Sequence, residues 1–185
     1  MNTWHISQAA RVVRQGGVIA YPTEAVWGLG CDPFNASAVE RLLLLKRRPV
    51  EKGVILIAAS LSQVAPLIDP LTAEEKKRLS ATWPGPYTWL LPDPHEWVPN
   101  WIKGKHSEVA VRISDHPLVR ALCNAVDGPL VSTSANPGGA APAKSLWEVN
   151  AYFGSRLDYK VDGKLGGLDR PTRIQSLQGS KIIRN

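Results

Sequence analysis

Only two cysteines occur, Cys31 and Cys123, and they lie far apart, matching neither a metal-ligand spacing nor a disulfide framework. Both read as structural thiols, and a reducing cytoplasm is the natural compartment. Long apolar runs are also missing: a stretch such as Val54 to Ala59 is far too short to span a bilayer. No cationic segment followed by an apolar core opens the chain, so neither a leader nor a membrane partner is expected. There is no G-x-x-x-x-G-K-[ST], and Gly28-Leu29-Gly30 is not followed by the third glycine of a dinucleotide fingerprint. A nucleotide, if bound, is held another way. No metal-binding histidine pair and no Ser/His/Asp set emerges, which leaves metal ligands unassigned. Internal repeats and low-complexity segments are absent.

What is present is enough for one well-buried domain over residues 1–185, with 44% hydrophobic composition. Lysine and arginine number 22 against 16 acidic residues, a formal charge of +6 that favours anionic partners such as nucleotides or RNA without choosing between them. The seven tryptophans are scattered and not interleaved with cations, so packing rather than base stacking is expected for most.

Ile6, Ala9, Ala10, Val12 and Val13 fall at helical spacing, and Gly16-Gly17 stops that helix before a buried strand at Val18 to Tyr21. Ser37 and Glu40 have capping-box spacing for a helix that delivers Lys46 and Arg48 at its C-terminal end. A strand at Val54 to Ala58 follows, then helical stretches at Ser62 to Leu67 and Thr72 to Ser80. Tyr87 to Leu91 and Val109 to Ile113 read as strands. Between them, prolines, Gly104, Trp97 and Trp101 mark an irregular excursion over 92–108 that could be a lid. His116 to Val126 reads as a helix, Pro129 to Val131 as a short strand and Ser145 to Phe153 as a helix. Late strands follow at Tyr159 to Val161, Arg173 to Leu177 and Ile182 to Ile183. Strands interleaved with helices imply an α/β fold, and the late strands imply a twisted sheet of mixed parallel and antiparallel strands.

Lys46 and Arg48 at i and i+2 do not share a helix face, but Pro49 disfavours α geometry at Arg48, so the chain can leave the helix and let both converge on one polyphosphate. An exposed basic helix end is the competing reading. Ser132, Ser134 and Asn136 follow a strand and alternate, presenting two hydroxyls and an amide where open α/β sheets bind ligands; a turn at Asn136-Pro137-Gly138-Gly139 explains them equally well. Thr23 also follows a strand. Arg112 points away from Val111 and Ile113, and an arginine there needs an anion, either a ligand or a salt bridge to Asp115 or Glu24.

In order along the chain, Tyr21-Pro22-Thr23-Glu24, Lys46-Arg47-Arg48-Pro49, Trp83-Pro84-Gly85-Pro86, Val109-Ala110-Val111-Arg112 with Asp115-His116-Pro117, and Ser132-Thr133-Ser134-Ala135-Asn136 resemble the YrdC-like family. That resemblance implies its α/β fold and an enzyme that joins L-threonine, bicarbonate and ATP into threonylcarbamoyl-adenylate and diphosphate. The adenylate then passes to tRNA threonylcarbamoyl-transferase proteins that modify an adenosine. It places nucleotide contacts on Lys46, Arg48, Ser134, Asn136 and Arg184, with Lys46 and Arg48 catalytic, and threonine contacts on Thr23, Arg112, Ser132 and Thr172. ATP is substrate, magnesium accompanies it, and direct contact with tRNA or other RNA is open. An RNA-binding or ribosomal-RNA maturation factor with the same basic concavity is the alternative. Ile57 stands where longer relatives carry a histidine, Ala25 replaces a second threonine, and their additional C-terminal domain is not expected here.

Overall fold

The computed structural model describes residues 3–169, 172–177 and 179, and the backbone of 182–184. Its elements run α1 (Thr3–Arg14), β1 (Ile19–Pro22), β2 (Trp27–Gly30), α2 (Ala36–Lys46), β3 (Ile55–Ala58), α3 (Ala65–Ile68), α4 (Ala73–Ser80), β4 (Tyr87–Pro92), α5 (Asn100–Lys103), β5 (Glu108–Ile113), α6 (Pro117–Val126), β6 (Leu130–Ser134), α7 (Leu146–Phe153), β7 (Tyr159–Lys160), β8 (Arg173–Ser176) and β9 (Ile182–Arg184). The strands form one nine-stranded sheet in the order β7-β1-β2-β6-β3-β5-β4-β8-β9. Pairings β1–β7, β3–β5 and β4–β8 are parallel and the others antiparallel, which is the mixed sheet expected.

Strand alternation divides the core. Ala20, Leu56, Ala58, Val111 and Val131 face one layer, built with α2, α4 and α7 through Leu42, Leu79 and Phe153. Ile19, Tyr21, Ile57 and Leu130 face the other, where α1 and α6 supply Ile6, Val13, Leu118 and Leu122. Each leucine removed from water in these layers contributes roughly 2 kcal/mol. The second layer stops at Ile57 and Leu130. Beyond it Ile55, Ser132, Ala110, Arg112 and Leu90 stay on the same face, because Ile55 is in register with Ser132, Ile57 with Arg112, and Ala110 with Leu90. That uncovered stretch of sheet becomes the floor of a cleft.

Several local details differ from expectation. Asn35, not Ser37, caps α2, its side chain accepting from the Ala38 amide. Strand β2 was hidden by glycines that the sheet requires: a Cβ on Gly30 would sit 2.6 Å from the Val131 carbonyl and 2.8 Å from the Tyr21 ring. Strand β6 continues through Ser134, so Ser132 and Ser134 lie on a strand and not in a loop after it. The Thr72/Glu75 capping box forms in full, and Ser145 caps α7 with Glu148 reaching back to it. No described helix is long and apolar enough to cross a membrane.

Candidate active site

A cleft of about 580 Å³ lies on the uncovered sheet face, lined among others by Thr23, Arg48, Arg112, Ser132, Ser134 and Thr172. Six of the nine residues singled out from the sequence therefore border one cavity. Lys46 and Asn136 stand immediately behind its wall, and the side chain of Arg184 lies outside the described residues.

At one end, Arg112 is 5% exposed and held on three sides. Its Nη1 donates to Thr172 Oγ1 at 2.7 Å, its Nη2 meets Glu24 Oε2 at 3.3 Å, and its strand partner is Ile57. Glu24 is itself fixed, because Ser114 Oγ donates to Glu24 Oε1 at 2.6 Å. The ion pair foreseen for Arg112 is thus made with Glu24, yet Arg112 Nε still has no partner. A strand-anchored guanidinium with an unused donor, bonded to Thr172 and sharing the cleft with Thr23 and Ser132, suits a small zwitterion carrying its own hydroxyl and carboxylate. Segment 161–169 runs along the Thr23–Glu24 backbone, Gly166 N donating to the Thr23 carbonyl and Leu168 N to that of Glu24. Ile57 is fully buried in the core, so the position of the longer relatives' histidine is filled by packing.

The other end is built by the turn after α2. Arg47 ends that helix at φ 50°, in the left-handed region, and this lets Lys46 and Arg48 project apart. Lys46 is 4% exposed, and its ammonium donates to the Ser134 carbonyl and, at 2.9 Å, to that of Asn136. Burial, and secondarily Arg48, lowers its pKa to about 8. Arg48 Nε and Nη2 donate to the Gly53 carbonyl, and Nη2 also to that of Lys52; burial lowers this pKa too. Asn136 Nδ2 donates to the Pro137 and Ala140 carbonyls and steadies that turn, while its Oδ1 is buried and unpartnered. The turn reading is thus met at Asn136, while Ser132 and Ser134 line the cleft from β6.

The excursion over 92–108 is a packed wall of the cleft. Asp93 accepts from the Trp97 and Val98 amides and pairs with Lys103 at 3.1 Å, and the Val54 amide donates to the Ile102 carbonyl. From it Lys105, His106 and Ser107 reach the rim, joined by Lys52 from the turn after Arg48. Sequence reasoning had not assigned Glu24, Ser114, Lys52, Lys105 or His106 to the site. Glu24 sat inside a quoted motif and Lys52 four residues after Arg48, but their roles depend on contacts with Ser114 and with residues 103–105.

A cleft on an open sheet face, with a buried arginine and several cations along it, suits a small carboxylate next to a polyanion. Residues 11–185 match the Sua5/YciO/YrdC family, described as Telomere recombination, and the chain belongs to that family. It is 59% identical over 91% of its length to the threonylcarbamoyl-AMP synthase of Marinobacter nauticus, spanning 89% of that protein. To the same-named protein of Stutzerimonas stutzeri it is 55% identical over 98% of its length, spanning 97% of that protein. Among solved structures, P. abyssi Sua5 complexed with L-threonine is similar with a TM-score of 0.90 at 30% identity, covering 98% of this chain and 53% of that one. E. coli YciO gives 0.85 at 26%, covering 99% and 89%. The chain thus spans about half the length of the P. abyssi protein and nearly all of the two bacterial synthases.

Proposed function

We propose that this protein makes threonylcarbamoyl-AMP from L-threonine, bicarbonate and ATP, releasing diphosphate. The observation that carries the reading is that one cleft joins the Arg112–Thr172 end to the Arg48–Ser134 end. Relatives of that name share more than half of their residues with this chain over most of its length. The threonine carboxylate sits at Arg112, and Thr23, Ser132 and Thr172 hold its hydroxyl and amine. Arg48 faces the phosphates, and Lys46 ties the end of β6, which carries Ser134, to the turn at Asn136.

Threonine's amine captures carbon dioxide as an N-carboxylate, losing a proton. A carboxylate oxygen then attacks the α-phosphorus, and the bond to the bridging oxygen breaks as diphosphate leaves. The nucleophile is already anionic, so alignment and charge neutralisation matter more than a strong protein base. The described residues contain no cluster of three His, Cys, Asp or Glu, and the two acids at the cleft are engaged, Glu24 by Ser114 and Arg112, Glu108 by Ser176. Magnesium bound with the triphosphate would neutralise part of its charge, and the hydroxyls of Ser132 and Ser134 are the side-chain oxygens of the cleft that would be offered to it.

Residues 1–185 act as one catalytic domain in the cytoplasm, and the reactive adenylate is consumed by a transferase acting on a tRNA adenosine. A grip on RNA alone gives the buried Arg112–Thr172 contact no role. Diphosphate release is to be measured with ATP, bicarbonate and each amino acid in turn. Release with threonine and little with the others is expected; release that is indifferent to the amino acid contradicts the assignment.

A further inference from the structure

The donors at the cation-rich end are unevenly available. The Lys46 ammonium is taken by two carbonyls behind the wall, Arg48 directs Nε and Nη2 to the carbonyls of Gly53 and Lys52, and Lys103 is paired with Asp93. A triphosphate at this end therefore meets fewer unengaged N–H groups than the Lys46-x-Arg48 motif suggests. Lys52, Lys105 and His106 are different. All three line the cleft and are exposed, and among the described residues the ion pairs are Arg41–Asp158, Lys103–Asp93 and Arg112–Glu24, none of which includes them.

Their placement is built into the backbone. The Lys105 amide donates to the Glu51 carbonyl at 3.1 Å. Gly53 and Gly104 have φ of 58° and 65°, and a Cβ on Gly104 would lie 2.5 Å from the Glu51 carbonyl oxygen and 2.6 Å from Gly53 N. Only glycine allows the two segments this approach. The contact holds the lysine-bearing chains of two separate segments at one rim, and Arg48 ties the first of those segments back to the end of α2. Two lysines held together without a carboxylate partner are relieved by a multivalent anion.

We infer that Lys52, Lys105 and His106 form a subsite for the β- and γ-phosphates of the nucleotide, the place from which diphosphate departs. This rests on the proposed reaction and adds to it which residues receive the leaving group. The test is titration calorimetry of ATP, AMP and inorganic diphosphate against the wild-type chain, the K52A/K105A variant and the K52R/K105R variant. Both lysines are exposed, and thermal unfolding of each variant verifies the fold. K52A/K105A is expected to weaken ATP and diphosphate by about tenfold or more per ammonium lost, to leave AMP within about twofold, and to be rescued by arginine. Equal weakening of ATP and AMP, or unchanged ATP and diphosphate binding, overturns the subsite. Diphosphate alone separates the two ideas: its lysine-dependent binding supports the subsite even without threonine-dependent turnover. Turnover that survives K52A/K105A with unchanged diphosphate binding removes the subsite and leaves the reaction standing.

Discussion

The most demanding perturbation is the removal of the charge on Glu24 by Glu24→Gln. Glu24 and Arg112 are 4% and 5% exposed, their ion pair closes at 3.3 Å, and the other carboxylate oxygen is bonded by Ser114. At an effective dielectric near 20 the gross attraction at such a distance is about 5 kcal/mol, offset by the cost of taking both charges out of water. Removing one partner leaves the other charge buried, which costs roughly 3–5 kcal/mol. Glutamine can still accept from Ser114, so the low end, about 3 kcal/mol, is expected for E24Q. In a chain of this length that lowers Tm by roughly 6–12 °C. Denaturant unfolding of E24Q, R112Q and the double variant supplies the assay, and the double is expected to cost about 3 kcal/mol less than the two singles added. Singles below about 1 kcal/mol with an additive double would mark the pair as solvated, like an exposed salt bridge, and refute the picture of a rigid guanidinium waiting for a substrate carboxylate.

Thr172→Val removes the hydroxyl that receives Arg112 Nη1 at 2.7 Å, and should raise the KM for threonine by about tenfold while leaving that for ATP near its original value. Gly104→Ala should destabilise by about 1–3 kcal/mol more than Gly139→Ala in thermal unfolding. Both positions have positive φ, but only at Gly104 does the added carbon strike backbone. For Lys46, burial lowers the folded pKa from 10.5 to about 8. Between those values the unfolded chain holds more protons, so the cost of burying the cation, complete below pH 8, is relieved as pH rises. Stability of the wild type relative to Lys46→Met should therefore climb across that window by at most about 3 kcal/mol. A flat difference between the two pH profiles would contradict the buried ammonium.

Much of the fold was legible because apolar periodicity and caps act locally. The helix ending in Arg14, the Thr72/Glu75 box, the strand carrying Arg112 and the helix beginning after His116 all follow from neighbours within a few residues. Strand β2 was not, because Gly28 and Gly30 suppress strand propensity and answer to partners far away, Tyr21 and Val131. The cap of α2 fell on Asn35 because its side chain reaches Ala38, while the Ser37 and Glu40 spacing lies inside the helix.

At the site, residue types chosen for charge and hydroxyl content converged at Thr23, Arg48, Arg112, Ser132, Ser134 and Thr172. What motif spacing could not reveal was which donors are already engaged. Lys46 serves the carbonyls of Ser134 and Asn136, and Arg48 those of Lys52 and Gly53. Those contacts link segments about ninety residues apart in the first case and depend on the left-handed turn at Arg47 in the second. The Gly53–Gly104 approach that brings Lys52 beside Lys105 is likewise invisible until both segments are folded.

The most direct measurement is the mass of the product formed from ATP, threonine and heavy-carbon-labelled bicarbonate. Expected is a single species containing AMP, threonine and one labelled carbonyl carbon, formed in step with diphosphate. An adenylate that carries threonine without the bicarbonate carbon, or diphosphate release with no such adduct, would contradict the claim that this cleft aligns an N-carboxylated threonine with the α-phosphorus.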